Sequence, residues 1–230
     1  MNDFSSIRCV VFDLDDTLWP CEPTITNAEL ALYDWLAERY PRITDQLSIE
    51  DLREQRANFA LHHTHISHDI TALRLHSMAE LAQKYDYPVS LAKDGLAHFR
   101  HHRNQVNLFD DALPTLKALG EHFKIGSITN GNAQLDVIGV REHFDFVVTA
   151  EEAGAAKPNK KIFDFAREQI DLASHELLYV GDHPTNDVIG SKNSGWQALW
   201  FNPDAKQWSE EIQPNAQIQS LSELLELLKI

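Results

Sequence analysis

One stretch near the start of the chain, residues 10–18, limits most strongly what this sequence folds into. It begins with a short apolar run, and Asp13, Asp15 and Asp16 follow within four positions. Such a run is typical of a strand that is buried on both faces. The acids then lie at the carboxyl end of the strand, where open α/β sheets place their ligand crevice. Because neighbouring carboxylates repel one another, the stretch predicts a cation, a proton or water beside them, although a solvated acidic turn would carry the same residues.

The composition argues against several classes of function. The 230 residues carry a formal net charge of −15 at pH 7, so we expect no nucleic-acid polymer as a partner. No apolar run approaches the length of a membrane-spanning helix, and the first residues lack the pattern of a secretory signal. We therefore expect no membrane partner. The only two cysteines, Cys9 and Cys21, predict reduced thiols and a cytoplasmic protein rather than a disulfide framework.

A block of helical sequence follows the first strand and a predicted loop over residues 14–23. Capping residues and apolar stripes predict four amphipathic helices between residues 24 and 106. The first opens with a predicted capping box of Thr26 and Glu29. The starts of the four helices are placed near Thr26, Ser48, Asp69 and Ser90. Four such helices with short connections make a small bundle.

Strands alternate with helices after this block, which predicts an α/β fold with a doubly wound parallel sheet. The predicted strands are residues 7–12, 123–128, 144–149, 177–180 and 197–201. The predicted helices are residues 110–122, 132–140, 159–170, 185–194 and 220–228. The four-helix block is then an insertion between the first strand and the rest of the sheet. We expect residues 1–22 and 107–230 to form one domain, and residues 23–106 to form a second.

Polar residues follow each predicted strand at the point where the strand ends. Right-handed crossovers bring the carboxyl ends of parallel strands to one edge of the sheet. Candidate site residues at that edge are Asp13 and Asp15, then Thr129, Asn130 and Gly131, then Lys157, and finally Asp182 and Asp187. We expect these residues to form one site, although they lie far apart in sequence.

The same residues resemble, in order, the four motifs of the haloacid dehalogenase-like (HAD) hydrolase superfamily. The motifs here are Asp13-x-Asp15-x-Thr17, Thr129-Asn130-Gly131, Lys157-Pro158 and Gly181-Asp182 with Asn186-Asp187. The resemblance covers the whole predicted sheet domain, which it identifies as a Rossmann-like HAD core. The inserted helices resemble the helical (C1) cap of the phosphatase branch. The resemblance implies a phosphoric monoester hydrolase.

The resemblance also implies a role for each motif. Asp13 would attack phosphorus and form an aspartyl-phosphate, and Asp15 would act as the acid and base. Thr129 and the backbone N–H groups of the next two residues, Asn130 and Gly131, would hold phosphoryl oxygens. Lys157 would neutralise developing charge.

A magnesium ion is the expected cofactor, because Mg²⁺ takes oxygen ligands and helps an anionic nucleophile approach a dianionic phosphate. The expected ligands are the side chains of Asp13 and Asp182 with the backbone carbonyl of Asp15. Asp187 is expected to act through a water or to orient Lys157.

Histidines raise a second metal hypothesis in the helical block. His98 and His102 have the spacing of ligands on one helix face, but no acidic partners accompany them, so we favour solvated histidines. The same interpretation applies to His62, His63, His65, His68, His76 and His101. His183 lies in the predicted crevice, and its role stays unassigned.

The expected substrate is a small-molecule phosphate monoester such as FMN, a nucleotide or a sugar phosphate. Trp19 and Phe59 would stack on a ring or would pack inside the protein. A phosphomutase and a non-enzymatic interaction protein stay open as alternatives. A dehalogenase is disfavoured because it needs no second acid such as Asp15, and a phosphonate hydrolase because Lys84 and Lys93 lack an apolar setting. We expect a monomer or a homodimer.

Overall fold

The computed structural model describes residues 3–230, which divide into two compact units. The sheet unit comprises the described part of Met1–Pro20 with Asn107–Gly131 and Gly139–Ile230. The helical unit comprises Cys21–Val106 and Asn132–Ile138. The division into a catalytic core and a cap at residues 22/23 and 106/107 stays a prediction.

The sheet unit is built on one parallel sheet of six strands among the described residues. The strands are β1 Cys9–Phe12, β2 Lys124–Thr129, β3 Phe146–Thr149, β4 Leu177–Gly181, β5 Gln197–Phe201 and β6 Ala216–Ile218. Their order is β3-β2-β1-β4-β5-β6, and every pairing is parallel. The strands β2 and β3 therefore lie on one side of β1 and the strands β4 to β6 on the other, and this reversal of strand order is the switch point at which α/β sheets bind ligands. The predicted doubly wound parallel sheet is confirmed.

The central strand is buried on both faces, as its apolar sequence predicts. Every residue of β1 is buried. Val11 packs with Ile128 and Tyr179 in one apolar cluster. Burial raises the pKa of the Cys9 thiol to about 12, so this cysteine is held as a neutral core residue.

Eleven α-helices lie among the described residues. They are α1 Cys21–Arg39, α2 Pro41–Thr44, α3 Ile49–His62, α4 Ile70–Lys84, α5 Ser90–Arg103, α6 Ala112–Gly120, α7 Leu135–Ile138, α8 Ala150–Ala153, α9 Lys160–Arg167, α10 Gly190–Asn193 and α11 Glu223–Leu228. Short 3₁₀ turns cover Thr64–Ile66, Arg141–His143 and Ser174–Glu176, and a π-helical segment covers Pro184–Ile189. None of the described helices has the length and apolarity needed to cross a membrane.

The helical unit packs α1, α4 and α5 around a core of its own. Trp35, Leu36, Leu81 and Phe99 belong to one buried cluster there. The predicted helix start near Ser48 is confirmed, since Ser48 precedes α3, accepts the backbone N–H of Asp51 and donates to its carboxylate. The four long helices correspond to those predicted from the sequence.

The start of α1 differs from the prediction. The loop expected over residues 14–23 ends early, because α1 begins at Cys21. Pro23 fits there, since the first turn of a helix needs no donor from its backbone nitrogen. The predicted capping box is wrong: Thr26 donates to Glu22 one turn earlier, and Glu29 is buried among arginines of other helices. The pairing of Glu29 with these arginines is a tertiary contact, which the local sequence does not reveal.

Other helix boundaries also differ. The helix expected over residues 132–140 is only the single turn of α7, and the one expected over residues 185–194 is the π-helical segment followed by α10. The last helix begins at Glu223 rather than at residue 220, although Glu223 still accepts hydrogen bonds from the backbone and hydroxyl of Ser220. The strand β6 was missed because three residues without an apolar run give no clear pattern.

Candidate active site

The loop after β1 is folded tightly and places two acids with separate partners. Asp13 follows β1 directly, is buried, and donates its backbone N–H to the carbonyl of Val180 at 2.9 Å. Asp16 adopts the left-handed conformation, with φ 59°, which turns the chain and which Asp tolerates better than most residues. The Asp15 carboxylate accepts a hydrogen bond from Trp19 Nε1 at 2.8 Å. Because Trp19 is fully buried, it is a positioning residue for Asp15 and offers no free face for stacking.

Lys157 is the buried centre of the site. Its Nζ lies 2.7 Å from Asp13 Oδ1 and 2.7 Å from Asp187 Oδ1. It also donates to the hydroxyl of Tyr179 at 2.9 Å, and that hydroxyl donates to the carbonyl of Ile128. Burial opposes the charge of Lys157, but the two carboxylates outweigh it and raise the pKa of the ammonium above its ordinary value. Lys157 is therefore a fixed cation that partly neutralises the acids.

Tyr179 was not among the residues singled out from the sequence. A signal for it exists: Tyr179 is the one hydroxyl in the otherwise apolar strand β4. A tyrosine buried in a central strand normally needs a hydrogen-bond partner, and the partner is found at the polar end of the sheet. Burial, followed by the charges of Asp187 and Asp13, raises its pKa well above the ordinary value, so Tyr179 stays protonated.

The loop after β2 positions Lys157 through its backbone. Asn130 Oδ1 accepts the N–H of Lys157 at 2.7 Å, and Asn130 Nδ2 donates to the carbonyl of Lys157 at 3.0 Å. Thr129 Oγ1 accepts the N–H of Gly131 at 2.8 Å. The side chain of Asn130 is thus used within the protein, and the Thr129 hydroxyl retains its own proton for donation to a ligand.

The loop after β4 supplies the remaining acids. Asp187 is fully buried, and its Oδ2 accepts the backbone N–H of His183 at 2.9 Å. A Cβ at Gly181 would lie 2.5 Å from that carboxylate, so glycine is required for the close approach. Asp182 accepts a long hydrogen bond of 3.5 Å from the Thr17 hydroxyl. The backbone carbonyl of Asp182 accepts one of 2.7 Å from the Trp200 indole.

His183 has a structural role that the sequence left unassigned. Its Nδ1 accepts the backbone N–H groups of Thr185 and Asn186, both at 3.2 Å. The ring therefore caps the π-helical segment that carries Asp187. Both contacts use Nδ1 as a hydrogen-bond acceptor, so that atom carries no hydrogen in this arrangement.

Three carboxylates form the group best suited to a cation. One oxygen each of Asp13, Asp182 and Asp187 lies within 4.8 Å of the others. Burial raises the pKa of Asp13 well above its ordinary value against the opposing charge of Lys157. Burial and then the Asp187 charge raise the pKa of Asp182 to about 7. One ammonium does not offset three acids, and an all-oxygen donor set fits a hard divalent cation.

The cavity at this position has a volume of about 180 Å³. It is lined by all the candidate site residues named from the sequence, Asp13, Asp15, Thr129, Asn130, Gly131, Lys157, Asp182 and Asp187, together with Asp16, His183 and Asn186. The histidines of the helical unit do not form a comparable group, since among the described residues none of them lies in a cluster of three or more possible metal ligands. Phe59 is buried, and its ring stacks on that of His63 with 3.8 Å between the ring centroids, so Phe59 packs inside that unit.

Comparison with known proteins identifies the family. The family model described as haloacid dehalogenase-like hydrolase matches residues 7–195, which is most of the chain. The chain belongs to the haloacid dehalogenase-like hydrolases. The predicted membership of the HAD superfamily and the predicted hydrolase class are confirmed.

Two curated relatives of this HAD hydrolase carry phosphatase names. YigB of Escherichia coli K12, a 5-amino-6-(5-phospho-D-ribitylamino)uracil phosphatase, is 30% identical over 230 residues and covers 96% of each chain. YjjG of the same organism, a pyrimidine 5′-nucleotidase, is 41% identical over 123 residues, which are 51% of this chain and 55% of that protein. The named relatives are therefore phosphoric monoester hydrolases, as the sequence predicts for this chain.

A solved structure gives the fold comparison. The crystal structure of a 2-haloacid dehalogenase from Pseudomonas syringae pv. Tomato DC3000 matches with a TM-score of 0.92 and 37% identity. The match covers 97% of this chain and 98% of that one. The fold of this HAD hydrolase is thus closely shared with a protein whose name states a different reaction, and the site residues have to distinguish the two.

Proposed function

We propose that this HAD hydrolase is a Mg²⁺-dependent phosphatase that hydrolyses a small-molecule phosphate monoester through an aspartyl-phosphate on Asp13. The observation that carries the proposal is the group of three acids, Asp13, Asp182 and Asp187, of which the buried pair Asp13 and Asp187 contacts the ammonium of Lys157. Such a group leaves a net negative charge that a divalent cation balances. The assignment of residues 1–22 and 107–230 as catalytic core, and of residues 23–106 as helical cap, is part of this proposal.

Asp13 is the nucleophile in this proposal. Lys157 binds one of its oxygens and limits the repulsion between the carboxylate and a phosphate dianion. A carboxylate oxygen of Asp13 attacks phosphorus, and the bond from phosphorus to the ester oxygen breaks. Bound Mg²⁺, held by Asp13, Asp182 and the Asp15 carbonyl with Asp187 beside them, would supply further neutralisation of phosphoryl charge.

Asp15 moves the protons. In the first step its carboxylic acid donates a proton to the departing ester oxygen. In the second step its carboxylate takes a proton from a water molecule, which attacks phosphorus and releases phosphate with restoration of Asp13. The Trp19 hydrogen bond to Asp15 fixes the carboxyl group for both steps. Thr129 and the backbone N–H of Asn130 would bind phosphoryl oxygens, and the N–H of Gly131 would do so by exchanging its bond to Thr129 Oγ1 for one to the ligand.

The names of two relatives support a proposal for the substrate class. The YigB and YjjG names both describe a pyrimidine ring with a phosphorylated five-carbon chain or sugar. We propose a monophosphate of this kind, a group that includes the FMN-like and nucleotide esters expected from the sequence. The cytoplasmic location and the choice between monomer and homodimer stay predictions.

Metal removal tests the proposed function. We expect a panel of phosphate monoesters, including FMN, UMP and ribose 5-phosphate, to be hydrolysed with added Mg²⁺ and left intact with EDTA. The reason is that the acidic group repels a phosphate dianion when no cation balances it. Released phosphate is the measurement, and excess Mg²⁺ added after EDTA is the control. Equal rates with and without the chelator would contradict the metal dependence.

A second candidate function is hydrolytic dehalogenation, which the structural match to the Pseudomonas syringae protein favours. In that reaction Asp13 would displace a halide, which leaves without a proton and needs no second acid. Asp15 faces the same cavity as Asp13 and is held in place by a buried indole, which supports the phosphatase instead. Halide release from 2-chloropropionate in metal-free buffer would favour the dehalogenase.

Product analysis with a sugar phosphate separates a phosphatase from a phosphomutase.

Replacing Asp15 tests the division of roles. We expect Asp15→Asn to bind phosphate normally but to lose about 10²-fold or more in kcat, because the leaving oxygen then receives no proton. The amide keeps an oxygen to accept the Trp19 hydrogen bond, so the loop should stay folded. Esters with good leaving groups, such as p-nitrophenyl phosphate, should lose less in the first step. Unchanged turnover of alkyl phosphates would show that Asp15 is not the acid.

A further inference from the structure

The helical unit contains a cavity of about 280 Å³, close to the lower end of the about 300–1,000 Å³ of small-molecule sites. We call it the arginine pocket, because Arg53, Arg56 and Arg74 line it together with Leu73, Phe99 and Asn132. All its lining residues belong to the helical unit, and no carboxylate is among them. None of these residues is among those that line the candidate active site.

One buried carboxylate serves all three arginines. Glu29 lies 2.5 Å from Arg53 Nε, 2.5 Å from Arg56 Nη2 and 3.7 Å from Arg74 Nη2. These contacts overcome the effect of burial and lower the pKa of Glu29, so it is ionised. A further acid, Glu50, lies 3.9 Å from Arg53 but is largely exposed, where an ion pair contributes little. The pocket thus keeps an excess of positive charge in a chain whose net charge is −15.

Arg74 is the least solvated of the three. Its side chain is only 10% exposed, and its guanidinium lies 3.4 Å from the centroid of the Phe99 ring. Burial, followed by the Arg56 charge, lowers the pKa of Arg74 to about 9, so it remains protonated at neutral pH. A buried cation with incomplete pairing destabilises a fold unless an anion compensates it. The other two guanidiniums are partly exposed and are accessible to a ligand.

We propose that the arginine pocket binds an organic anion, with its carboxylate or phosphate against Arg53 and Arg56 and its flat or apolar body against Leu73 and the partly exposed Ile70. Guanidinium groups bind planar anions through paired hydrogen bonds, which an ammonium does not match. The apolar lining favours a ligand with a ring over a bare inorganic ion. The proposed occupant is a separate organic anion that binds within the helical unit alone.

Isophthalate is the probe for binding, because it combines a flat ring with two carboxylates and has no phosphate. Calorimetry on the full chain in metal-free buffer should detect binding, and Arg56→Gln should weaken it about tenfold or more. The matched control is Arg42→Gln, since Arg42 is half-exposed in the same unit and lies over Tyr87 outside the pocket. No binding, or equal binding to Arg56→Gln and wild type, would overturn the proposal.

Glu29→Gln distinguishes a ligand site from a purely structural network. The substitution removes the carboxylate that competes for the arginines, so isophthalate should bind several-fold more tightly. The melting temperature should fall at the same time, because a buried charge pair is lost. A purely structural network predicts weaker binding together with lower stability, and that result would count against the pocket as an anion site.

Discussion

Asp13→Asn should lose hydrolytic activity by about 10³-fold or more, because an amide oxygen is a poor nucleophile toward phosphorus. Its fold should survive the change. Burial already raises the pKa of Asp13, and the charges of Asp187 and Asp182 add to that effect against the opposing ammonium of Lys157. A neutral amide removes the repulsion and can still accept the hydrogen bond from Lys157. In metal-free buffer the variant should therefore unfold at a temperature no lower than that of the wild type.

The measurement is kcat/KM with the preferred phosphate ester, alongside thermal unfolding by circular dichroism. Asp171→Asn provides the matched control, because it makes the same chemical change at an exposed position of the sheet unit. The control should keep wild-type activity and stability. Full activity of Asp13→Asn would rule out Asp13 as the nucleophile.

Lys157→Met should cause the largest loss of stability of any single substitution in the site. The ammonium holds Asp13 and Asp187 at 2.7 Å each, and both carboxylates are buried. Removing one partner of a buried ion pair typically costs about 3–5 kcal/mol, since the remaining charge is uncompensated. Methionine has a similar length, so loss of charge rather than a cavity should dominate. Activity should also fall by about 10²-fold or more, because a charge that faces the phosphate is lost.

Urea unfolding at neutral pH without metal measures the stability change. Lys160→Met is the control, since Lys160 is an exposed lysine at the start of α9 and pairs only with Asp164 at the surface among its described contacts. The control should change the free energy of unfolding by less than about 1 kcal/mol. Equal stability of Lys157→Met and wild type would mean that the ammonium does not balance the acids.

The architecture was predictable wherever the sequence carried a simple pattern of apolar residues. The apolar run before Asp13 predicted a central buried strand, and alternation of strands with helices predicted a parallel sheet. Parallel topology alone then brought Lys157 and Asp187 to Asp13, although these residues are far apart in the chain. Strand β6 was missed because its pairing with β5, and not its own composition, makes it a strand.

Roles that depend on tertiary partners were not predictable. Thr26 and Glu29 satisfy the local pattern of a capping box, but Glu29 is instead drawn to arginines more than 20 residues away in α3 and α4. For Trp19 the sequence left stacking on a ring and packing inside the protein equally open, because its burial and its bond to Asp15 are properties of the folded loop. Tyr179 was overlooked because one hydroxyl in an apolar strand does not show which groups it reaches.

The paired hydrogen bonds between Asn130 and Lys157 determine when the loops of the site become ordered. They join two loops that are 27 residues apart, one after β2 and one before α9. The conformational-entropy cost of ordering both loops is therefore part of the folding free energy, and ligand binding does not carry this cost again. Asn130 thus fixes the backbone of Lys157, and with it the position of the ammonium, before any phosphate is bound.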